Sequence, residues 1–228
     1  MLYLKKFIKA ILPYGIVMLI MKNKKKRFPG SAVYWEDRYK RGDNSGAGSY
    51  NELANFKAKV INNFVKNNNI KTVIEFGCGD GNQLSLALYP KYTGFDVSKT
   101  AINLCRKIFK NDPTKTFLLL KKYNDFHRAD IVISLDVIYH LIEDIVFEKH
   151  INQLFQAATK FVIIYAYDFE GDNKYHVKHR NFTKYINQNI KNWNLLEHIP
   201  NEYPYNKNEP DNTSWSDFYI YSKVLSEQ

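Results

Sequence analysis

The chain has 228 residues, the length of one ordinary domain with a terminal extension. Apolar residues make up 45% and charged residues 25%, close to the globular average, which excludes wholesale disorder. Two cysteines are too few for a disulfide framework or a four-cysteine zinc site, so a reducing cytoplasm is favoured. The formal net charge of +10 favours an anionic neighbour such as phospholipid, nucleic acid or a phosphorylated small molecule.

Residues 1–28 are a basic extension, followed by a single domain over 29–228. Apolar residues recur at helical spacing, which predicts an amphipathic helix, at Leu4, Phe7, Ile8 and Ile11. The apolar run that follows is too short to span a bilayer, and no cleavage site of a secretory signal follows it. We expect residues 1–27 to contact the inner face of the membrane or a membrane-bound partner such as a glycosyltransferase. Packing of this helix on the domain is the alternative.

Short β-rich runs then alternate with helical stretches. A short helix followed by a loop is expected in SAVYWEDRYKRGDNSGAGSY, and a longer helix over 51–68. We predict strands in KTVIEFG, YTGFDV, TFLLL, ADIVISLD and KFVIIYAYD, and helices in GNQLSLAL, from Ser98 to about Phe109 and from about Glu143 to Ala158. This alternation predicts an α/β fold with a doubly wound, mostly parallel sheet. The tail segments WNLLEHI and DFYIYSKV predict a hairpin that adds an antiparallel strand.

The sharpest feature is the glycine turn in VIEFGCGDGNQL, where a strand is followed by Gly77, Gly79 and Gly81. Glycines let the backbone turn tightly and approach a ligand at the carboxyl end of the first strand, where doubly wound sheets bind cofactors. A dinucleotide fingerprint would have its third glycine at the position of Asn82, so the spacing favours a mononucleoside. Asp96 ends the second strand and is placed to accept hydrogen bonds from both hydroxyls of a ribose.

Three segments, EFGCGDG, GFDVS and SLDVIYHL, resemble the motifs of class I S-adenosylmethionine-dependent methyltransferases, which have a Rossmann-like fold. The resemblance covers roughly Ser31 to the C-terminus. It implies a doubly wound, mostly parallel seven-stranded sheet with an antiparallel last strand, and S-adenosylmethionine as cofactor. The cofactor-binding residues that it implies are Glu75, Gly77, Cys78, Gly79, Gly81, Gln83, Asp96, Val97, Asp136 and Val137. Asp125 is the candidate for the acid that the family often uses to bind adenine.

A narrower resemblance is carried by YWEDRY, NSGAGSY and HVKHRNFT, which are similar to segments of methyltransferases found with bacterial capsule and surface-glycan genes. Trp35 and Tyr39, four residues apart on the short helix, are expected to close over the methionine end of the cofactor. The loop 45–50, with glycines at 46 and 48, is expected to act as a lid. Packing of these aromatic side chains in the core is the alternative.

The candidate catalytic residues are His140 and Asp136. A sugar hydroxyl has a high pKa, so a general base is useful, and histidine is the commonest. One helical turn separates the two residues, so the Asp136 carboxylate is expected to orient the imidazole. A histidine that caps or packs the following helix is the alternative.

The stretch after the fifth strand is expected to overhang the same pocket. Its candidates for binding an anionic acceptor are Tyr167, His176, His179 and Arg180. No metal is predicted, because the two histidines have no third ligand at convincing spacing. An exposed basic surface is the alternative interpretation of this cluster.

The leading hypothesis is methylation of a small anionic acceptor, a sugar or phosphorylated precursor of a bacterial surface polysaccharide. A nucleic-acid methyltransferase is the second hypothesis, but nucleic acid is not the expected partner. Much of the positive charge lies in residues 1–27, and the segment SLDVIY lacks the proline of the loops that hold a flipped base. A non-catalytic cofactor-binding module in a membrane-bound glycan assembly comes third, and a nicotinamide oxidoreductase is a distant fourth.

Overall fold

The computed structural model describes residues 28–171 and 174–224, so the predictions for residues 1–27 lie outside it. Five α-helices are present in the described residues: α1 (Ser31–Lys40), α2 (Asn51–Asn67), α3 (Lys99–Ile108), α4 (Asp144–Ala157) and α5 (Phe182–Asn189). The strands are β1 (Thr72–Phe76), β2 (Lys91–Asp96), β3 (Lys115–Leu119), β4 (Ala129–Leu135), β5 (Ala158–Ala166), β6 (Trp193–Ile199) and β7 (Asp217–Lys223). Short 3₁₀ turns occupy Ala47–Ser49, Gln83–Leu86, Leu120–Lys122 and Ile138–His140.

The seven strands form one sheet in the order β3-β2-β1-β4-β5-β7-β6. Strands β1 to β5 pair in parallel, whereas β7 runs antiparallel to both β5 and β6. This confirms the predicted doubly wound sheet and its antiparallel addition. The strand order reverses between β1 and β4, and in such sheets ligands bind in the crevice at the carboxyl ends of these two strands.

Helices cover both faces of the sheet, because its central strands are apolar on both sides. On one face Ile61 of α2 and Ile102 of α3 pack in a core with Ile131 of β4. On the other face Leu154 of α4 and Phe182 of α5 pack in a second core. The sheet that forms the crevice between β1 and β4 is therefore covered by helices on both of its faces.

Two local features differ from the prediction. The segment GNQLSLAL forms only a 3₁₀ turn, because the side chain of Asn62 on α2 donates to the carbonyl of Leu86 (2.9 Å) and accepts from the amide of Leu88 (2.9 Å). These bonds replace those of a continuing helix, and Pro90 disfavours helix in the residue before it. Helix α5 was not predicted, although the side chain of Asn181 caps it by accepting from an amide in its first turn.

Candidate active site

A cavity of about 550 Å³ lies at the carboxyl edge of the sheet, in the crevice where the strand order reverses. This volume is in the range of small-molecule sites. Of the twelve residues predicted to bind the cofactor, the cavity wall contains Trp35, Tyr39, Glu75, Gly77, Cys78, Gly79, Gln83, Asp96, Val97, Asp136 and Val137. His140 also lies in the wall. The predicted residues of the first, second and fourth strand motifs are thus brought together.

The glycine turn packs so closely against the protein that a side chain at Gly77 or Gly79 would collide with a neighbour. Gly77 has φ +91°, and a Cβ there would collide with the side chain of Val137. Gly79 has φ +58°, and a Cβ there would collide with Ser45 Oγ. Gly81 lies outside the wall, where it packs closely against α3, and its role as a cofactor contact stays a prediction.

Asp96 ties the glycine turn to the start of α3. Its Oδ2 accepts from the amide of Gly79 (3.0 Å), and its Oδ1 accepts from the amide of Ser98 (2.8 Å). Burial raises the pKa of Asp96 to about 6, and its backbone hydrogen bonds oppose this shift. A carboxylate has about four acceptor positions, so two remain for the hydroxyls of a ribose.

Two further polar side chains in the cavity wall, Gln83 and Glu75, have acceptor atoms that make few hydrogen bonds within the protein. Among the described residues, Gln83 Oε1 is buried without a hydrogen-bond partner, while its Nε2 donates to the carbonyl of Ala54 (3.1 Å). Glu75 is buried, and its Oε2 accepts from the hydroxyl of Tyr92 (2.5 Å). Burial raises the pKa of Glu75 to about 7. Both groups are available to a ligand that carries donors or positive charge.

The charges in the cavity wall suit a cation. Among the described residues of the wall, Lys149 is the one lysine or arginine, against five carboxylates, those of Glu75, Asp80, Asp96, Asp136 and Glu143. S-adenosylmethionine carries a sulfonium, an ammonium, a carboxylate and a ribose. The free acceptors of Asp96 and the unpartnered amide oxygen of Gln83 fit the hydrogen-bond donors of this group.

The loop 45–50 is tied to the glycine turn through Asp80, a residue whose role was not predicted. Asp80 Oδ2 accepts from the amide of Ser45 (2.8 Å) and from the hydroxyl of Tyr50 (2.9 Å). Asn82 Nδ2 donates to the carbonyl of Ser49 (2.6 Å). The loop therefore forms part of the cavity wall, and its movement as a lid stays a prediction. The acid within the motif itself, between two of its glycines, was the signal in the sequence.

Helix α1 lies over the cavity and is fixed at its middle by Glu36. Glu36 accepts from the hydroxyl of Ser98 (2.6 Å) and from the amide of Thr100 (3.2 Å) at the start of α3. Burial opposes the charge, but these hydrogen bonds outweigh it and lower the pKa of Glu36 to about 2. This anchor holds Trp35 with its ring edge towards His140, at 4.9 Å between ring centroids.

His140 has a defined tautomer. Its Nδ1 lies 3.0 Å from the carbonyl oxygen of His176, and a carbonyl only accepts, so Nδ1 carries the proton and Nε2 carries the lone pair. Burial lowers the pKa of His140 to about 4, although its hydrogen bond to His176 opposes this shift. His140 is therefore neutral at physiological pH and able to accept a proton.

Asp136 does not orient His140, and that prediction is wrong. Asp136 has φ +58° at the end of β4, which turns its carboxylate towards α2. There Oδ2 accepts from Lys57 Nζ (2.6 Å), and Oδ1 accepts from the hydroxyls of Tyr139 (2.8 Å) and Ser216 (3.3 Å). Lys57 was not predicted either, although its position four residues after Leu53 places it on the apolar stripe of α2.

The four residues predicted to bind the acceptor are outside the cavity wall. Arg180 donates to Asp144 Oδ1 (2.7 Å) and to the carbonyls of Leu141 (2.7 Å) and Ile142 (3.0 Å), so its fork is occupied by the protein. His179 lines a separate cleft of about 390 Å³, which Arg180 shares. The prediction that Arg180 binds acceptor phosphate is corrected to a structural role at the start of α4.

Tyr167 and His176 are held in aromatic stacks. The ring of Tyr167 stacks on Trp215 at 5.6 Å between centroids. The ring of His176 stacks on His140 at 5.5 Å, so His176 reaches the cavity only through His140. Asp125 is exposed and outside the wall, where Leu120 takes the position after β3. No sequence pattern predicted the wall residues that α4 supplies, among them Lys149, His150 and Gln153.

Within residues 28–171 and 174–224, no three histidine, cysteine, aspartate or glutamate side chains are grouped to hold a metal ion. None of the helices described there is long and apolar enough to cross a membrane. Cys78 is buried, and a hydrogen bond with Cys105 together with burial raises the pKa of its thiol. This is consistent with a small side chain that fills space rather than a nucleophile.

Solved structures show the same fold at low sequence identity. N-methyltransferase NodS from Bradyrhizobium japonicum WM9, in complex with S-adenosyl-L-homocysteine, has a TM-score of 0.67 and 13% identity, over 85% of this chain and 98% of that chain. Magnesium protoporphyrin IX methyltransferase (ChlM) from Synechocystis PCC 6803, with bound S-adenosylhomocysteine, has a TM-score of 0.60 and 14% identity, over 85% and 98%. The methyltransferase domain of bacterial CtHen1 has a TM-score of 0.57 and 18% identity, over 75% and 100%.

No curated protein matches the chain significantly. A family model described as a methyltransferase domain matches residues 50–169, which is more than half of the chain and includes the glycine turn, Asp96 and His140. The chain therefore belongs to the methyltransferase domain family, as an enzyme whose cofactor is S-adenosylmethionine.

Proposed function

We propose that this methyltransferase modifies a hydroxyl oxygen of a small sugar-containing acceptor and that His140 is its general base. The observation that carries the proposal is the neutral imidazole of fixed tautomer in the cavity wall. Hydroxyl acceptors need such a base, because their pKa is far above physiological pH. The likeness of YWEDRY, NSGAGSY and HVKHRNFT to capsule methyltransferases supports a precursor of a bacterial surface polysaccharide as the acceptor.

When bound, S-adenosylmethionine would supply a methyl group on a sulfonium. The acceptor oxygen would form the new carbon–oxygen bond, the carbon–sulfur bond would break, and S-adenosylhomocysteine would leave. The hydroxyl proton passes to Nε2 of His140. The carbonyl of His176 keeps its bond to Nδ1–H throughout, and the negative charge of Asp136 favours the imidazolium that forms. General base catalysis of this kind contributes about 10²- to 10⁴-fold to a rate.

The charge of the acceptor follows from the corrected role of Arg180. With its fork bound to Asp144 and two carbonyls, it is not available to a phosphate. In the part of the chain that the structure describes, Lys149 remains as the one lysine or arginine of the cavity wall for an anionic group of the acceptor. We therefore propose that the site selects its acceptor by the sugar hydroxyl and not by a phosphate group.

Nucleic acid is disfavoured by where the charge lies. Residues 1–27 contain eight lysines and arginines and no acidic residue. The other residues contain 25 basic and 23 acidic side chains, a net charge of +2. Five carboxylates line the cavity itself, and they would repel a phosphate backbone.

The test of the proposed function is methyl incorporation from labelled S-adenosylmethionine into nucleotide sugars and extracts of cell envelopes. His140→Gln is expected to lower kcat by about 10²-fold or more, with the Kd for S-adenosylhomocysteine within about twofold of the wild type. His198→Gln, on the exposed strand β6, is the matched control and is expected to keep full activity. Full activity of His140→Gln on the identified acceptor contradicts the role of His140. Incorporation into oligonucleotides alone contradicts the acceptor class.

We also propose that residues 1–27 hold the enzyme at an anionic membrane surface, on the sequence pattern given above. Full-length protein is expected to co-sediment with vesicles containing phosphatidylglycerol, and the binding is expected to fall in the variant that replaces with glutamate Lys5, Lys6 and Lys9. The control makes the same change at three exposed lysines of the domain, Lys107, Lys110 and Lys191. Equal binding by both variants contradicts the proposal.

A further inference from the structure

A row of four aromatic side chains (the aromatic row) lies at the surface of the protein, and the chemistry above does not use it. Its members follow one another in the order Phe169, Tyr167, Trp215 and Tyr205. The ring centroids are 5.2 Å, 5.6 Å and 4.6 Å apart along the row, and neighbouring ring planes differ by no more than 29°. Nearly parallel rings at such distances are offset sideways, which leaves part of each face uncovered. The exposed fractions of Phe169, Trp215 and Tyr205 are 47%, 55% and 40%.

The loop between β6 and β7 holds two members of the aromatic row in place. Tyr205 and Trp215 lie on the two arms of this loop. Beside them the amide of Ser214 donates to the carbonyl of Tyr203 (3.0 Å), and Asn201 Nδ2 donates to the carbonyl of Ser214 (3.2 Å). These bonds join the two arms and order the rings without a ligand, which lowers the entropic cost of binding one.

The aromatic row lies at the same edge of the sheet as the cavity. Tyr167 directly follows β5, and Trp215 stands two residues before β7, the strand that pairs with β5. Between Trp215 and β7, the hydroxyl of Ser216 donates to Asp136 Oδ1 (3.3 Å), and Asp136 belongs to the cavity wall. A ligand of several rings that enters the cavity can therefore extend onto the aromatic row.

The two segments that carry the aromatic row are acidic. Residues 167–171 contain two acidic residues and no basic one, and residues 200–216 contain three acidic residues and one basic one. Carboxylates repel a phosphate backbone, so the charge disfavours stacking of nucleic-acid bases on these rings. A sugar fits better, because the C–H groups on one face of a sugar ring pack on the face of an aromatic ring. Its hydroxyls can donate to carboxylate and amide oxygens around the rings.

We propose that the aromatic row binds sugar residues of the acceptor, and that the acceptor is therefore an oligosaccharide rather than a single nucleotide-linked sugar. This inference rests on the proposed function: the sugar that is methylated lies in the cavity, and its neighbours in the chain stack on the aromatic row. The steps of 4.6–5.6 Å between the rings are comparable with the length of one sugar residue in a chain. The aromatic row takes no part in proton or methyl transfer, so it changes the affinity for long acceptors and not the chemical step.

The first measurement is binding of the full-length protein to an array of immobilised bacterial oligosaccharides and single-stranded oligonucleotides, without S-adenosylmethionine. The wild type is expected to bind oligosaccharides of three or more sugar residues, and Trp215→Ala and Phe169→Ala are each expected to weaken this binding by about fivefold or more. Both side chains are half exposed, so both variants are expected to fold. Trp215→Phe keeps an aromatic ring and is expected to bind within about twofold of the wild type. The matched control is Phe126→Ala, in the loop between β3 and β4, where a side chain that is 94% exposed is removed and binding is expected to stay unchanged.

Absence of wild-type binding to every oligosaccharide, or equal binding by the wild type and Trp215→Ala, overturns the proposal. Binding to oligonucleotides alone that Trp215→Ala abolishes also overturns it, because the aromatic row would then bind bases.

The second measurement separates this proposal from the proposed function, by methyl incorporation into the oligosaccharides that the wild type binds. Trp215→Ala is expected to raise KM by about fivefold or more and to leave kcat within about twofold. Binding that depends on Trp215 but is followed by no methyl incorporation contradicts the proposed function and supports the aromatic row as a sugar-binding surface. Incorporation with an unchanged KM in Trp215→Ala supports the proposed function and overturns the role of the aromatic row.

Discussion

Substitution of Gly77 by alanine tests whether the close packing of the glycine turn on Val137 shapes the cofactor site. At φ +91° a side chain costs about 1–2 kcal/mol in backbone strain. The new Cβ would also overlap Val137, and such overpacking costs about 1–3 kcal/mol. The free energy of unfolding is therefore expected to fall by about 2–5 kcal/mol. Displacement of Val137, which lines the cavity, is expected to weaken binding of S-adenosylhomocysteine by about tenfold or more.

Gly42→Ala is the matched control. Gly42 has φ +85°, but a Cβ there meets no atom within 4 Å among the described residues, so only the backbone strain of about 1–2 kcal/mol applies. Urea unfolding gives the stability of each variant, and calorimetry gives its affinity. The Kd of Gly42→Ala is expected to stay within about twofold of the wild type. A Gly77→Ala protein that binds as tightly as Gly42→Ala would refute the reasoning.

Three further predictions follow from individual contacts. Because burial lowers the pKa of His140 to about 4, protonation of His140 should lower kcat on the identified acceptor only as the pH falls towards 4. An acidic limb near pH 6.5 that is present in the pH–rate profile of the wild type and absent from that of His140→Gln would contradict this, whereas a limb shared by both proteins reports Asp96 or Glu75. Arg180→Ala should lower the free energy of unfolding, measured in urea, by about 2–3 kcal/mol, while the Kd for S-adenosylhomocysteine changes less than twofold. A large loss of affinity for S-adenosylhomocysteine would contradict the purely structural role of Arg180. Glu36 has a lowered pKa of about 2, so the stability that its ionised carboxylate contributes is complete above pH 4.5 and is lost as the pH falls towards 2. The free energy of unfolding of Glu36→Gln should therefore be about 1–2 kcal/mol lower than that of the wild type at pH 7. In acid-unfolding curves this difference between the two proteins should narrow between pH 4.5 and 2.

The cofactor side of the site could be predicted because its residues follow the strands directly. Gly77 and Gly79 after β1 and Asp96 at the end of β2 reach the crevice because these two strands pair in parallel. The same reasoning found the position of Val137 after β4. Short-range pattern and sheet topology together determine this half of the cavity.

The other half depends on contacts between residues far apart in the chain. Asp136 turned away from its near neighbour His140, because Lys57, 79 residues earlier, offers it an opposite charge. Arg180 turned to Asp144 for the same reason. Spacing in the sequence shows which side chains lie near an edge of the sheet. Which of them form ion pairs depends on the oppositely charged side chains that the fold brings near them.

Binding of the cofactor itself is the most direct measurement. Titration of S-adenosylhomocysteine into the full-length protein should give one site per chain, and ligand at about 100 times its Kd should raise the free energy of unfolding by about 2.7 kcal/mol. Asp96→Ala should abolish the heat of binding while the protein remains folded. Absence of both heat and thermal stabilisation in the wild type would contradict the assignment of the crevice between β1 and β4 as the cofactor site.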